Sequence, residues 1–329
     1  MSNIWKPEVF QGQGKKENYF EGWYFKSVAK DEKTVYSVIP GVSISKDVSK
    51  SHAFIMLVDA RKQKLYYFKY SISDFSANKN KFDITIGNNH FSLNHMKLDL
   101  KDDTNQIKAE LQFENIYPWP VTLLSPGTMG WYAFVPMMEC YHATASFNHK
   151  IHGFFDVNGN KSDFNGGKGY LEKDWGRSMP SSWIWMQTNH FDKYEVSLFG
   201  SIAKIPWMGS FFTGYIFGFY YQNIVYRFAT YTGARLKKLN VTKDKIEIFV
   251  EDNKYILEIT ADRTQGVDLP APKLGEMTAK VNESLKSIIK VSFYKKIKTG
   301  RELIFTGKGR NSGLEFVGDI NELLKGITK

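Results

Sequence analysis

The chain has 329 residues, 42% of them apolar, with 44 Lys and Arg against 34 Asp and Glu for a formal net charge of +10. That composition excludes a disordered or multi-span membrane chain and gives enough length for two cores of ordinary size. One cysteine, Cys140, excludes an intramolecular disulfide framework and any multi-cysteine metal site.

The opening residues show no apolar run behind a basic patch, so no signal peptide is expected and a reducing, cytoplasmic location is the default. Aromatic residues make up 16% of the chain and recur in alternating runs, which favours strands. Strand signals cover 34–44, 52–60, 64–75, 81–87, 90–100 and 107–116, and a Pro-rich break follows at 116–130. Residues 140–157 read as one long or two short strands before the turn Val-Asn-Gly-Asn. Further strand signals continue from 182 to the C-terminus, for roughly sixteen in all. A Pro/Gly-rich stretch at 262–277 reads as a surface loop, and only 320–329 reads as helical.

The class is all-β with very little helix. Sixteen strands overfill one open twisted sheet, so two antiparallel barrels or a sandwich pair are expected. The Arg-Ser-Met-Pro-Ser-Ser stretch divides the strands about evenly, giving halves of 1–180 and 181–329. Residues 205–226 hold no charge over 22 positions, but Pro206, Gln222 and Asn223 argue against a membrane span. A glycine-punctuated hairpin whose aromatic side chains line or seal a cavity is expected there.

Polar residues interrupt aromatic strands at 18–26, 152–176 and 180–191. Side chains alternate faces along a strand. Tyr170, Glu172 and Asp174 therefore share one face, and Leu171, Lys173 and Trp175 the other. Carboxylates at i and i+2 lie about 7 Å apart, close enough to push their pKa values apart when buried. Trp183, Trp185, Gln187 and Asn189 form a face of two indoles and two amides, suited to a flat, partly polar ligand. Tyr19, Glu21, Trp23 and Phe25 again set one acid among aromatic rings. The plainer reading of Glu172, Lys173 and Asp174 is an exposed charged rim, and of the two indoles, core anchors. His142, His149 and His152 invite a metal reading. On a strand, however, i and i+3 face opposite sides, so no metal site is expected. Cys140 reads as a buried small hydrophobe.

The run GKGYLEKDWGRSMPSSWIWMQTNHF (167–191), with ENYFEGWYFK (17–26) and HAFIMLVDA (52–60), resembles the tocopherol cyclase family. That family is in turn distantly similar to carotenoid hydratases and AttH-like proteins. The resemblance implies two lipocalin-like β-barrel halves meeting at a shared central cavity. It also implies ring closure of a prenylated phenol or related isoprenoid by alkene protonation, an isomerase-type reaction that needs no metal or redox cofactor. Within it, Glu172 and Asp174 become the candidate acids. Trp175, Trp183 and Trp185 become pocket walls, Gln187 and Asn189 orient ring hydroxyls, and Glu21, Trp23 and Tyr24 contribute from the first half. Plant members commonly carry Asn at the position of Asp174, which moves weight toward Glu172. A non-catalytic carrier of a lipophilic small molecule is the competing class; it tolerates loss of either acid. Basic residues are scattered, with 295–301 the densest cluster, so no nucleic-acid partner is expected. The charge suits weak peripheral contact with anionic lipid.

Overall fold

A computed structural model describes residues 3–136, 138–192, 195–325 and 327. It divides into two compact units, residues 1–179 with 269–280, and residues 180–268 with 281–329.

The first sheet is built from twelve strands: β1 (Tyr19–Val28), β2 (Val35–Ile44), β3 (His52–Asp59), β4 (Lys64–Tyr70), β5 (Phe75–Ala77), β6 (Asp83–Ile86), β7 (Asn89–Ser92), β8 (His95–Lys101), β9 (Gln106–Glu114), β10 (Cys140–Val157), β11 (Asn160–Asp163) and β12 (Gly167–Gly176). Its order is β4-β3-β2-β1-β12-β10-β9-β8-β7-β6-β5, with β11 on β10. The second sheet holds β13 (Trp183–Thr188), β14 (Val196–Trp207), β15 (Ser210–Tyr221), β16 (Ile224–Ala229), β17 (Arg235–Val241), β18 (Lys245–Glu251), β19 (Tyr255–Asp262), β20 (Val267–Lys273), β21 (Glu276–Ile297) and β22 (Gly300–Val317). It runs β16-β15-β14-β13-β22-β21-β19-β18-β17, with β20 on β21. Among the described residues one α-helix, α1 (Ile320–Lys325), lies where helical periodicity is expected. Two large antiparallel sheets and very little helix are the expected all-β class.

Alternation builds both cores. In β9, Ile107, Ala109, Leu111 and Phe113 are buried, while Gln106, Lys108 and Gln112 are exposed. β18 repeats this with Ile246, Ile248 and Val250. Elsewhere the pattern breaks: β1 is buried at nine of ten positions and β13 at all six. In these strands both faces are covered, and one of them is polar.

Residues 140–157 form one strand with register shifts between Thr144, Ser146 and His149. Its turn carries Asn158 and Gly159 at φ of 55° and 80°, the left-handed pair a tight hairpin needs. The uncharged 205–226 segment holds the expected hairpin turn, between β14 and β15, and runs on into β16; its Phe217 and Phe219 pack into the second unit's apolar core instead of lining a cavity. Among the described residues no helix is long and apolar enough to cross a membrane.

The expected loop at 262–277 instead contains strand β20, with irregular backbone at 263–266 and a turn at 274–275. Pro270 and Pro272 are tolerated because β20 pairs with β21 alone, so its missing N–H groups break no second ladder. Residues 269–280 also cluster with the first unit, which is therefore not one continuous stretch. Gly275 N–H donates to Arg177 O (2.8 Å) and Ser45 Oγ to Glu276 (2.8 Å). A side chain at Gly275, with φ of +77°, would meet Ile44 O at 2.4 Å.

The bulged part of β10 buries His149, whose Nδ1 meets Ser146 Oγ at 3.0 Å and whose ring lies 4.7 Å from Phe113. Burial holds its pKa down at about 3. In the unfolded chain it titrates near 6.5. Below that value the unfolded state binds a proton that the folded state refuses, so stability is lost as pH falls. Between pH 7 and pH 5 the loss is about 2 kcal/mol. Thermal melts should show it, and His149→Asn protein should lose clearly less over the same interval.

Candidate active site

β1, β12 and β10 lie side by side, and their register assembles the site. On the face opposite the apolar core, Tyr24 pairs with Glu172 and Glu172 with Thr144. One step along, Gly22 pairs with Asp174 and Asp174 with His142. Lys26, fully buried, pairs with Tyr170. Tyr170 donates its hydroxyl hydrogen to Glu172 Oε2 (2.6 Å). His142 Nδ1 lies 2.9 Å from Asp174 Oδ1 and its Nε2 lies 3.6 Å from Glu172 Oε2. One imidazole therefore bridges two carboxyl groups.

Glu172 and Lys173 are 4% and 0% exposed, so the exposed charged rim is overturned: both faces of β12 are covered, one over Glu172 and the other over Lys173. Asp174 keeps partial access to solvent. Burial, and then the charge of Glu172, hold the Tyr170 phenol well above its ordinary pKa. Burial, and then Asp174, push the Cys140 thiol up as well, so it stays a neutral thiol rather than a nucleophile.

An imidazole set between two carboxyl groups can relay a proton from one to the other. The same three residues bring one ligand atom each within 4.8 Å of one another, so they could also hold a divalent cation. The other two histidines of the sequence cluster take no part. His149 is sealed in the bulge, and His152 lies 3.6 Å from Glu114 with its side chain partly exposed.

The opposite face of the same strands carries Glu21, Trp23, Lys173 and Trp175. Lys173 Nζ lies 2.5 Å from Glu21 Oε1, and neither side chain is exposed. It also donates to Pro7 O (2.8 Å) and Val9 O (2.6 Å). Glu21 accepts from Gln11 N–H at 3.0 Å and from the Tyr19 hydroxyl. Trp23 Nε1 donates to Glu8 O (2.8 Å). Burial raises the Glu21 pKa and lowers that of Lys173, each opposed by the other's charge. Glu21 and Trp23 thus tie the N-terminal segment to the sheet.

In front of them lies a cavity of about 480 Å³, within the usual size range for a small-molecule site. Tyr19, Tyr141, Trp175, His142, Met129 and Met138 are among its walls. Tyr141 and Trp175 stack with ring centroids 5.4 Å apart, and the Lys173 ammonium stands 4.5 Å from the Trp175 ring. Of the expected site residues, Trp175 lines this cavity directly. Glu172 and Asp174 adjoin it through His142, and Glu21 lies behind Tyr19.

The second unit holds the remaining candidates on β13 and at Asn189 just after it. Trp183, Trp185, Gln187 and Asn189 are buried on the face opposite Ile184 and Met186, which belong to that unit's apolar core. Trp183 Nε1 donates to Glu315 Oε2 (2.8 Å). Gln187 is fully buried, and neither atom of its amide has a hydrogen-bond partner among the described residues. A buried amide left unpaired is costly, and it offers a donor and an acceptor to a ligand hydroxyl. None of these four lines the cavity just described.

His142, Tyr170, Lys26 and Tyr141 were not singled out for this site from sequence. Tyr170 shares the parity of Glu172 and could have been, but His142 and Lys26 need the strand register.

The tocopherol cyclase-like family profile matches residues 17–318. A chloroplastic tocopherol cyclase of Zea mays is 28% identical over 123 residues, a match covering 36% of this chain and 26% of that protein. The matched part is thus about a quarter of that relative's length. Among solved structures, CghA superposes with a TM-score of 0.58 at 9% identity, covering 97% of this chain and 93% of that one. Kievitone hydratase of Nectria haematococca gives 0.50 at 12% identity, covering 97% and 95%. At such identities these two likenesses concern the fold.

Proposed function

The chain belongs to the tocopherol cyclase-like family, and from that premise we propose that it closes a ring in a prenylated phenol or related isoprenoid by protonating an alkene. The observation that carries this reading is the His142–Glu172–Asp174 cluster set against an aromatic-walled cavity. Glu172, oriented by the Tyr170 hydroxyl, gives its proton to the less substituted alkene carbon. The tertiary cation that forms is stabilised by ring faces such as those of Tyr141 and Trp175. The phenol oxygen attacks the cation, forming the C–O bond and releasing its own proton. His142 and Asp174 return that proton to the Glu172 carboxylate. Substrate and product have the same composition, so no proton or electron is consumed.

Incubation in D2O with a panel of prenylated hydroquinones, read by chromatography and mass spectrometry, tests this. The expected product has shifted retention and carries one carbon-bound deuterium. Binding in native mass spectra without turnover of any member would replace the cyclase with a lipophilic carrier. Turnover lost on chelation and restored by a divalent ion would move the chemistry from a carboxyl proton to a metal held by the same three residues.

A further inference from the structure

Residues 115–138 carry no charge, an unusual run for a connection between strands in a chain with 24% charged residues. Their centre is a tight turn. Thr122 and Ser125 exchange backbone hydrogen bonds of 3.0 and 3.2 Å, which pushes Leu123 and Leu124 outward. The two leucines are 76% and 78% exposed, and Val121, Trp131, Phe134 and Trp5 are each close to half exposed. Trp5 joins the leucine turn to Phe134, and Trp131 lies in the same short 3-10 turn as Phe134. Trp5 Nε1 donates to Leu123 O (3.2 Å), and the Trp5 and Phe134 rings meet edge to face at 5.9 Å. Other exposed apolar residues, such as Ile224 and Leu303, lie in separate strands. Contiguous exposed apolar surface of this kind marks an interaction site.

We propose that this turn, with Trp5, Trp131 and Phe134, docks the protein on a lipid surface. Three observations select lipid as the occupant. The leucine tip is met by the Trp5 indole, and Trp131 stands half-exposed in the turn of Phe134; indoles are the amphipathic side chains that settle at a membrane–water boundary. Pro126, Met129 and Ala133 of the same segment, with Ile4 and Pro7 beside Trp5, line the 480 Å³ cavity, so the docked face adjoins it. Lys15 and Arg177, at the same cavity with one acid, Glu17, bring net positive charge toward an anionic surface. Docking is independent of the reaction: a carrier with this turn would dock in the same way.

The test is sedimentation of the full chain with phosphatidylcholine vesicles, with and without phosphatidylglycerol, alongside L123D/L124D protein. Wild type is expected to sediment with the vesicles, more strongly when they are anionic, with a blue shift of tryptophan emission. The double variant should lose at least about tenfold in partitioning. Both leucines are exposed and outside the cavity wall, so its thermal melt should match wild type. Wild type left in the supernatant, or a variant that sediments equally well, overturns the proposal. A wild-type dimer that the variant converts to monomer, without vesicle binding, would assign the surface to a second copy of the chain and overturn it too.

Discussion

Glu172→Gln protein is expected to close rings about a thousandfold more slowly than wild type, the range lost when a positioned general acid is removed. The substitution is nearly isosteric, and its amide oxygen can still accept from the Tyr170 hydroxyl, which in wild type lies 2.6 Å from Oε2. Only the transferable proton goes. Substrate should therefore still bind in native mass spectra while deuterium incorporation falls. Asp174→Asn is expected to behave differently, because Asp174 meets His142 at 2.9 Å and acts through it. Its kcat should fall by about tenfold, with an altered pH profile from changed support of the imidazole. Glu172→Gln protein that turns over within a few fold of wild type would remove Glu172 from the donor role.

Lys173→Met protein should lose about 3–5 kcal/mol of stability, the usual cost of removing one partner from a buried ion pair. Glu21 would be left buried beside an apolar side chain, and the carbonyls of Pro7 and Val9 would lose their donor. For a unit of this size the unfolding midpoint should fall by about 10 °C. The double variant Glu21→Gln, Lys173→Met should recover part of that loss, because it no longer buries an unpaired charge. A single variant melting within a degree of wild type would mean that the strap at residues 7–11 does not depend on this pair. Because that strap lines the cavity at Pro7 and Gln11, its release should weaken ligand binding as well.

The strand pattern was readable where each strand has one wet face, as in β8, β9 and β18. It misled where both faces are covered. In β12 the sequence Glu172-Lys173-Asp174 looks like a solvated rim, yet the covered faces send Lys173 to Glu21 and Glu172 to Tyr170. The stretch 262–277 looked like a loop because its prolines disfavour a central strand, and two of them stand in the edge strand β20 instead.

Alternation and turn chemistry are local, acting over a few residues. By themselves they determined the all-β class, the hairpin at 205–226, the terminal helix and the shared parity of Tyr170, Glu172 and Asp174. Strand register is not local. It brings His142 to Asp174 across 32 positions and Lys173 to Val9 across 164. Only the tertiary structure decided that Glu21 and Lys173 form an internal clamp and that His142 joins the two acids. It alone showed that the uncharged stretch after β9 turns its leucines outward, because those outcomes depend on which segments cover which faces.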